Sequence, residues 1–293
     1  MRFEHYFEPT TVGECCQILK EYGFDAKIIA GGTDLVPRLR NKTLKPKAVV
    51  AIWSIPMIDA IAVNEDGLEL GTAAQLRKIS LDPALAKDYK VIMEAAGNVS
   101  SMQVRNIATI GGNACNASPS ADAIQGLMAM NAVAVIASTS GTREVAIEDF
   151  FTGPGKTVIK EGEMLLSFKI PAPKPGTASY YKKYAIRGDT ETSLVGVACT
   201  LTLKSDGSIE EARISLGAVA PKPIRAIAAE KMLVGKKLTI ELIKQAGEMA
   251  AENCTPISDQ RATAEYRKEM VRVWTRHALE EAEKLAKSKL NEK

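Results

Sequence analysis

Short apolar runs and helical periods alternate along this chain. Residues 10–23 predict a helix, with Thr10 or Thr11 as N-cap, Glu14 within capping-box reach and Gly23 as its stop. Residues 27–30 form an apolar run that ends in Gly31-Gly32, and 48–52 form another; both predict buried strands. Residues 58–63 and 68–71 flank Asn64-Glu65-Asp66-Gly67, which has the turn chemistry of a hairpin. Helical patterns over 84–99 and 121–130 bracket a second glycine pair, and strands at 132–137 and 164–170 close this region. Three prolines and a glycine over 171–176 resist continuation of either helix or sheet, which places a domain border there. Beyond it come strands at 178–185, 194–203 and 209–219, the last two separated by Ser205-Asp206-Gly207. Helices are expected at 224–234, 239–253 and 262–288, and in the last one Tyr266, Met270, Val273, Trp274, Ala278 and Leu285 are expected to face the core. The order predicts an α+β fold: residues 1–176, built of two α+β subdomains (1–57 and 58–176), then 177–293, a short antiparallel sheet with helices.

Composition narrows the classes of function. At 293 residues the chain exceeds the usual size of a single core. Its 38 Lys and Arg against 35 Asp and Glu leave a net charge of +3, too small for an electrostatic grip on nucleic acid or lipid headgroups. No run of 18 apolar residues occurs, so no membrane span is expected, and the first nine residues lack the apolar centre of a secretory signal. The five cysteines (Cys15, Cys16, Cys115, Cys199 and Cys254) are odd in number and show no CxxC spacing. They suggest neither a disulfide framework nor a cysteine-ligated metal or iron–sulfur cluster, and a reducing cytoplasm is the expected location. His5 and His277 lie far apart and leave little material for a metal site or triad. Any catalysis is expected to rest on a bound organic cofactor.

Two glycine-pair segments carry the candidate chemistry. The first comprises Ile28, Ile29, Ala30, Gly31, Gly32, Thr33, Asp34 and Leu35; the second runs through Thr109, Ile110, Gly111, Gly112 and Asn113 to Ser118, Ser120 and Asp122. Glycine tolerates the positive φ that lets successive backbone N–H groups converge on an anion. Two such loops could cradle a pyrophosphate, with a carboxylate left for a ribose or ribityl hydroxyl. Neither fits GxGxxG, so a Rossmann site is not supported. Gly155-Lys156-Thr157 matches the end of a P-loop, but Phe150 stands where the upstream glycine belongs, and a structural turn is the preferred reading.

Through these segments the chain resembles the FAD-binding medium subunits of molybdenum hydroxylases, a group that includes xanthine dehydrogenase and carbon monoxide dehydrogenase. The resemblance runs nearly end to end. It is carried by both glycine segments with the preceding Gln103-Val104-Arg105-Asn106-Ile107-Ala108, by residues 150–156, and by Lys183-Tyr184-Ala185-Ile186-Arg187. Residues 216–225 and 261–267 add to it, and the later stretches are most similar to bacterial xanthine dehydrogenase FAD subunits. The resemblance implies a PCMH-type FAD-binding region over 1–176 and a carbon monoxide dehydrogenase flavoprotein-like domain over 177–293. It implies that Ile28 to Leu35 wrap the FAD pyrophosphate and adenosine side, and that Thr109 to Asn113 approach the pyrophosphate and flavin from the opposite side. Asp122 would meet a cofactor hydroxyl, Val99 a flavin face or adenine, Leu165 the cofactor through its backbone, and Lys183 the flavin ring region. Where relatives carry an aspartate followed by an aromatic or aliphatic residue against the isoalloxazine, this chain has Glu191-Thr192, so a more open flavin face is expected at Thr192.

The same resemblance implies partners: a small subunit with 2Fe-2S clusters, a large molybdopterin subunit that hydroxylates the substrate, and a dimer of heterotrimers with NAD+ as one possible acceptor. Two alternatives stand beside it. One is a stand-alone flavoprotein oxidoreductase, for which no convincing substrate base is identified among His5, His277 or the carboxylates. The other is a flavin assembly or storage protein without turnover. Elsewhere, Cys15 and Cys16 are expected to be one buried and one exposed thiol, and Cys115 a small space-filler. Lys222, Arg225, Arg261, Arg267, Lys268, Arg272 and Arg276 are expected to form mainly a solvated face, with an interface to an iron–sulfur partner as the sharper alternative.

Overall fold

The computed structural model describes residues 3–187 and 190–291. Residues 1–2, within the segment read for a secretory signal, and residues 188–189 and 292–293, within the predicted C-terminal domain, lie outside the described residues. Three hydrophobic clusters organise the chain, each centred on one lobe, with Ala73, Ala137 and Met164 joining the first and Tyr181 and Ala198 the second across lobe borders.

The first lobe holds β1 (His5–Phe7), α1 (Val12–Tyr22), β2 (Ala26–Ile29), α2 (Leu35–Arg40) and β3 (Ala48–Ala51), with the strands parallel in the order β1-β3-β2. The capping box forms as expected: Thr11 Oγ1 accepts from the Glu14 N–H at 3.1 Å, and the Glu14 carboxylate accepts from the Thr10 N–H at 2.9 Å. Cys15 and Cys16 correct the sequence expectation, since both are fully buried. Helix α1 packs against β2 and β3 and also against a strand of the second lobe, so adjacent positions meet protein on different sides. Burial pushes the Cys15 thiol up to about 12, with the neighbouring Cys16 and Glu14 adding to the effect.

The second lobe contains the predicted hairpin, β4 (Ile61–Asn64) and β5 (Gly67–Gly71), then α3 (Leu76–Leu81), α4 (Lys90–Gly97), α5 (Met102–Arg105), α6 (Ile110–Asn116) and α7 (Asp122–Ala129). Strands β6 (Val133–Ser138) and β7 (Gly141–Ala146), the small hairpin β8 (Phe151–Gly153) with β9 (Lys156–Thr157), and β10 (Met164–Pro171) complete it. The main sheet is antiparallel in the order β4-β5-β10-β6-β7. Helix α4 starts later than the sequence pattern suggests, because Asp82 and Pro83 open a separate 3-10 turn. Every residue of α7 is buried, Asp122 and Gln125 included.

The third lobe is an antiparallel sheet of β11 (Thr177–Tyr184), β12 (Val195–Leu203), β13 (Ile209–Gly217) and β14 (Ile224–Arg225), covered by α8 (Ile227–Leu233), α9 (Ile240–Glu252) and α10 (Ala264–Asn291). All nine residues of β12 are buried, because α10 packs on the sheet from the third lobe and α7 reaches it from the second. The predicted stripe on α10 is rotated. Its buried positions are Arg267, Val271, Thr275, Ala278, Leu279, Ala282 and Ala286, whereas Tyr266 and Leu285 are exposed. Small residues let the helix lie close to the strands, and the larger Trp274 is displaced to the flank, where it packs against Tyr184 and His277.

Candidate functional site

Both glycine segments lie on the wall of one cleft of about 890 Å³. The first also touches the stretch that leads into the second: a Cβ on Gly31 would sit 2.0 Å from the Ile107 carbonyl oxygen, so only glycine permits that approach. Gly32 follows with φ of +70° and turns the chain from β2 into α2. Among the described residues the backbone N–H groups of Gly31, Gly32, Thr33 and Asp34 have no hydrogen-bond acceptor. Four successive donors without a protein acceptor, on residues that line a cleft, supply the chemistry of an anion nest.

The second glycine segment is built differently. It folds as the start of α6, with Thr109 as N-cap. Thr109 Oγ1 accepts from the Gly112 N–H at 3.1 Å and its carbonyl from the Asn113 N–H at 3.0 Å. The N–H groups of Ile110 and Gly111 donate to the carbonyls of Ala74 and Thr72, each at 2.9 Å. A Cβ on Gly111 would fall 1.7 Å from Thr72 Oγ1. These glycines therefore seat a helix end against the β5 exit. What this segment offers the cleft is side chains: Ser118, Ser120 and Asn113, whose buried Oδ1 has no partner among the described residues.

Of the sequence-predicted residues, Ile28, Ile29, Ala30, Gly31, Gly32, Thr33, Asp34, Leu35, Val99, Thr109, Gly111, Gly112, Asn113, Leu165 and Thr192 line the cleft. Ile110 does not; it is fully buried in the second lobe's core. Asp122 and Lys183 are also off the wall and are turned to each other. Lys183 Nζ lies 2.8 Å from Asp122 Oδ2, with both side chains 7% exposed, and also donates to the Asn98 carbonyl at 2.9 Å. Asp122 Oδ1 accepts from Tyr181 Oη at 3.2 Å and from the Ser193 hydroxyl. Burial pushes the Asp122 carboxyl up, and Lys183, Ser193 and Tyr181 pull it back. This knot joins α7 to β11 and holds Ser193, the residue after Thr192, so it supports the cleft wall from behind.

Several wall residues escape the sequence reading. Lys27, Arg38, Lys156 and Lys160 add positive charge around the cleft. Burial and the nearby Arg38 lower the Lys27 ammonium. Burial raises the Asp34 carboxyl, an effect that Arg38 opposes. Lys156 sits on the β8–β9 hairpin, the segment read as a structural turn; it is indeed a hairpin, and its tip reaches the cleft. A lysine beside glycines is the available signal, but only the fold brings it to the wall. Cys115 departs from the space-filler expectation, because the residue is exposed and lies on the cleft wall. The basic residues of the third lobe are mostly engaged. Arg267 is buried, donating to the Leu194 carbonyl and pairing with Asp259 at 3.0 Å, Arg225 pairs with Glu148 and Glu230, and Arg272 with Glu248. The donor set fits an elongated phosphate-bearing cofactor such as FAD: free N–H groups and cations for phosphate, the orphaned Asn113 oxygen for a donor, and Ile28, Val99 and Leu165 for ring surface.

Comparison with known proteins shows the family. The family described as "FAD binding domain in molybdopterin dehydrogenase" matches residues 1–173, and "CO dehydrogenase flavoprotein C-terminal domain" matches 179–282. The chain is 31% identical over 290 residues to a putative xanthine dehydrogenase FAD-binding subunit of Escherichia coli K12, covering 98% of this chain and 99% of the relative. It is 30% identical over 283 residues to the carbon monoxide dehydrogenase medium chain of Hydrogenophaga pseudoflava, covering 96% and 97%. Among solved structures, a carbon monoxide dehydrogenase from Hydrogenophaga pseudoflava superposes with a TM-score of 0.91 at 32% identity, covering 96% of this chain and 97% of that one. Quinoline 2-oxidoreductase from Pseudomonas putida 86 gives 0.88 at 30% identity, covering 98% and 99%.

Proposed function

The chain belongs to the FAD-binding subunits of the molybdenum hydroxylase family, and we propose that it relays electrons from 2Fe-2S clusters on a small partner subunit to NAD+ or another acceptor. FAD, when bound, supplies the exchange between one-electron and two-electron transfer. Substrate is hydroxylated at a molybdopterin centre on a large partner subunit, in a xanthine- or purine-dehydrogenase-like reaction. The assembly is a cytoplasmic dimer of heterotrimers. This chain divides at about residue 176 into the FAD-binding region and the C-terminal domain.

The observation that carries this reading is the run of free N–H groups from Gly31 to Asp34, set in a cleft that also presents Asn113 and four cations. The nest takes the pyrophosphate, and Lys27 and Arg38 balance its charge. Asn113 orients the ligand by hydrogen bonding. Val99 and Leu165 bound the ring region, and the short Thr192 side chain leaves its face of the ring more open. Asp122 and Lys183 act from behind, fixing the segment that carries Thr192.

The test is reconstitution of the purified full chain with excess FAD, followed by gel filtration and a visible spectrum. A bound flavin near one per chain is expected, and a chain that emerges colourless overturns the reading. Isolation from the native source then separates relay from stand-alone enzyme: co-purification of iron–sulfur and molybdenum subunits supports the relay, whereas full turnover of a small molecule by the lone chain contradicts it.

A further inference from the structure

We propose that a second pocket, on the far side of the segment that walls the main cleft, binds a phosphate-bearing anion. It occupies about 550 Å³ between α3 and α4 and is lined by Arg77, Ser80, Lys90, Glu94, Asn98 and Arg105 among others. Three cations face one carboxylate there. Lys90 and Glu94 neutralise each other at 3.6 Å, which leaves two guanidinium groups. Arg77 forms no ion pair with any described residue. Arg105 has no carboxylate partner either: its Nη1 donates to the Val99 and Ser100 carbonyls at 3.0 and 2.7 Å, and its Nε is buried without an acceptor among the described residues.

The Arg105 Nε is closed to a ligand, so an oxyanion would meet the remaining edge of that guanidinium together with Arg77, neither of which pairs with a carboxylate among the described residues. Guanidinium suits phosphate because its planar fork can offer two parallel N–H groups. Ser80 and Asn98 are already committed, the Ser80 hydroxyl donating to the Arg77 carbonyl at 2.9 Å and the Asn98 amide to the Glu94 carbonyl at 2.7 Å, so the cations carry the recognition. The site also has a structural link to the cleft, since Arg105 holds the carbonyls of Val99 and Ser100, and both of those residues line the FAD side. An anion on Arg105 therefore acts on the same turn that bounds the main cleft. Two sources share this chemistry. One is the diphosphate of a dinucleotide electron acceptor, which rests on the relay reading above; the other is free inorganic pyrophosphate.

The experiment titrates the full chain, loaded with FAD so that the main cleft is filled, with inorganic pyrophosphate and with ADP-ribose by calorimetry. At least one probe is expected to bind, and Arg77→Gln is expected to weaken it about tenfold. Lys90→Gln, at an exposed position, is expected to weaken it by a smaller factor and serves as the variant least able to disturb folding. ADP-ribose binding more tightly than pyrophosphate identifies the dinucleotide source; pyrophosphate binding at least as tightly identifies the free anion. No heat from either probe up to millimolar concentration, or unchanged affinity in both variants, overturns the proposal. Flavin absorbance in the same samples reports on the main cleft separately. A chain that keeps its flavin but binds neither probe loses the second site alone. One that takes up no flavin contradicts the FAD reading, and the same variants still test the second pocket.

Discussion

At the scale of single residues, Gly31 is fixed by contact as much as by ligand chemistry. Its missing Cβ would lie 2.0 Å from the Ile107 oxygen, a backbone atom that cannot rotate away. Gly31→Ala is expected to cost ~1–3 kcal/mol of stability through overpacking and to lower flavin occupancy, because the two loops must part. Thermal melts and the bound-flavin ratio check it; a variant that melts and binds FAD like the parent would contradict the contact argument. Thr192 poses the opposite question, since it lines the cleft with a short side chain. Thr192→Tyr is expected to quench flavin fluorescence and reduce quencher access to the ring, and identical Stern–Volmer slopes for the two proteins would rule out an open face there. The glycine pairs are visible in the sequence as places of close approach. What they approach is not visible, because the Ile107 and Thr72 partners are set by tertiary contact.

At the scale of elements, α6 illustrates what periodicity misses. Ile110-Gly111-Gly112-Asn113 has no apolar repeat and two poor helix formers, so it reads as a loop; Thr109 and the carbonyls of Thr72 and Ala74 supply the hydrogen bonds that make it helical. The α10 stripe differs from its sequence pattern for a related reason: large side chains dominate the pattern, but close helix–sheet contact selects alanine and valine. The start of α10 carries a prediction of its own. Asp259 accepts from the Arg261 N–H at 2.8 Å and pairs with Arg267, and these contacts, the backbone N–H first, hold its carboxyl down at about 2. The ordinary value in an unfolded chain is about 3.9. A depressed carboxyl stabilises the fold fully above that unfolded value, and its contribution is lost as pH falls from about 4 through about 2. Asp259→Asn is therefore expected to flatten the acid limb of the unfolding curve in this window. Circular dichroism against pH measures it; a variant with the parent's acid slope would remove Asp259 from the explanation.

At the scale of the whole molecule, the buried pair of Asp122 and Lys183 connects the second and third lobes. Lys183→Met would leave the Asp122 carboxylate buried with only the Tyr181 and Ser193 hydroxyls, an arrangement expected to cost ~3–5 kcal/mol. The double variant with Asp122→Asn is expected to recover part of that loss, because no unpaired charge remains, and denaturant melts that show no recovery would contradict the pairing. The α+β class and most elements are legible from alternating runs and turn residues. The lobe junction is not, since nothing in the local pattern around Asp122 announces a lysine sixty-one residues away as its partner.

The cleft wall is assembled from positions as early as Leu19 and as late as Thr192. In the order of synthesis, the nest at Gly31 leaves the ribosome long before the rest of the pocket exists, and at about 5–20 residues per second the remaining wall is complete only after many seconds. Until then the nest has donors but no enclosure. Flavin acquisition thus waits until translation has passed Thr192, and a shortage of FAD would be met by a chain that carries the whole cleft wall rather than by its first lobe alone.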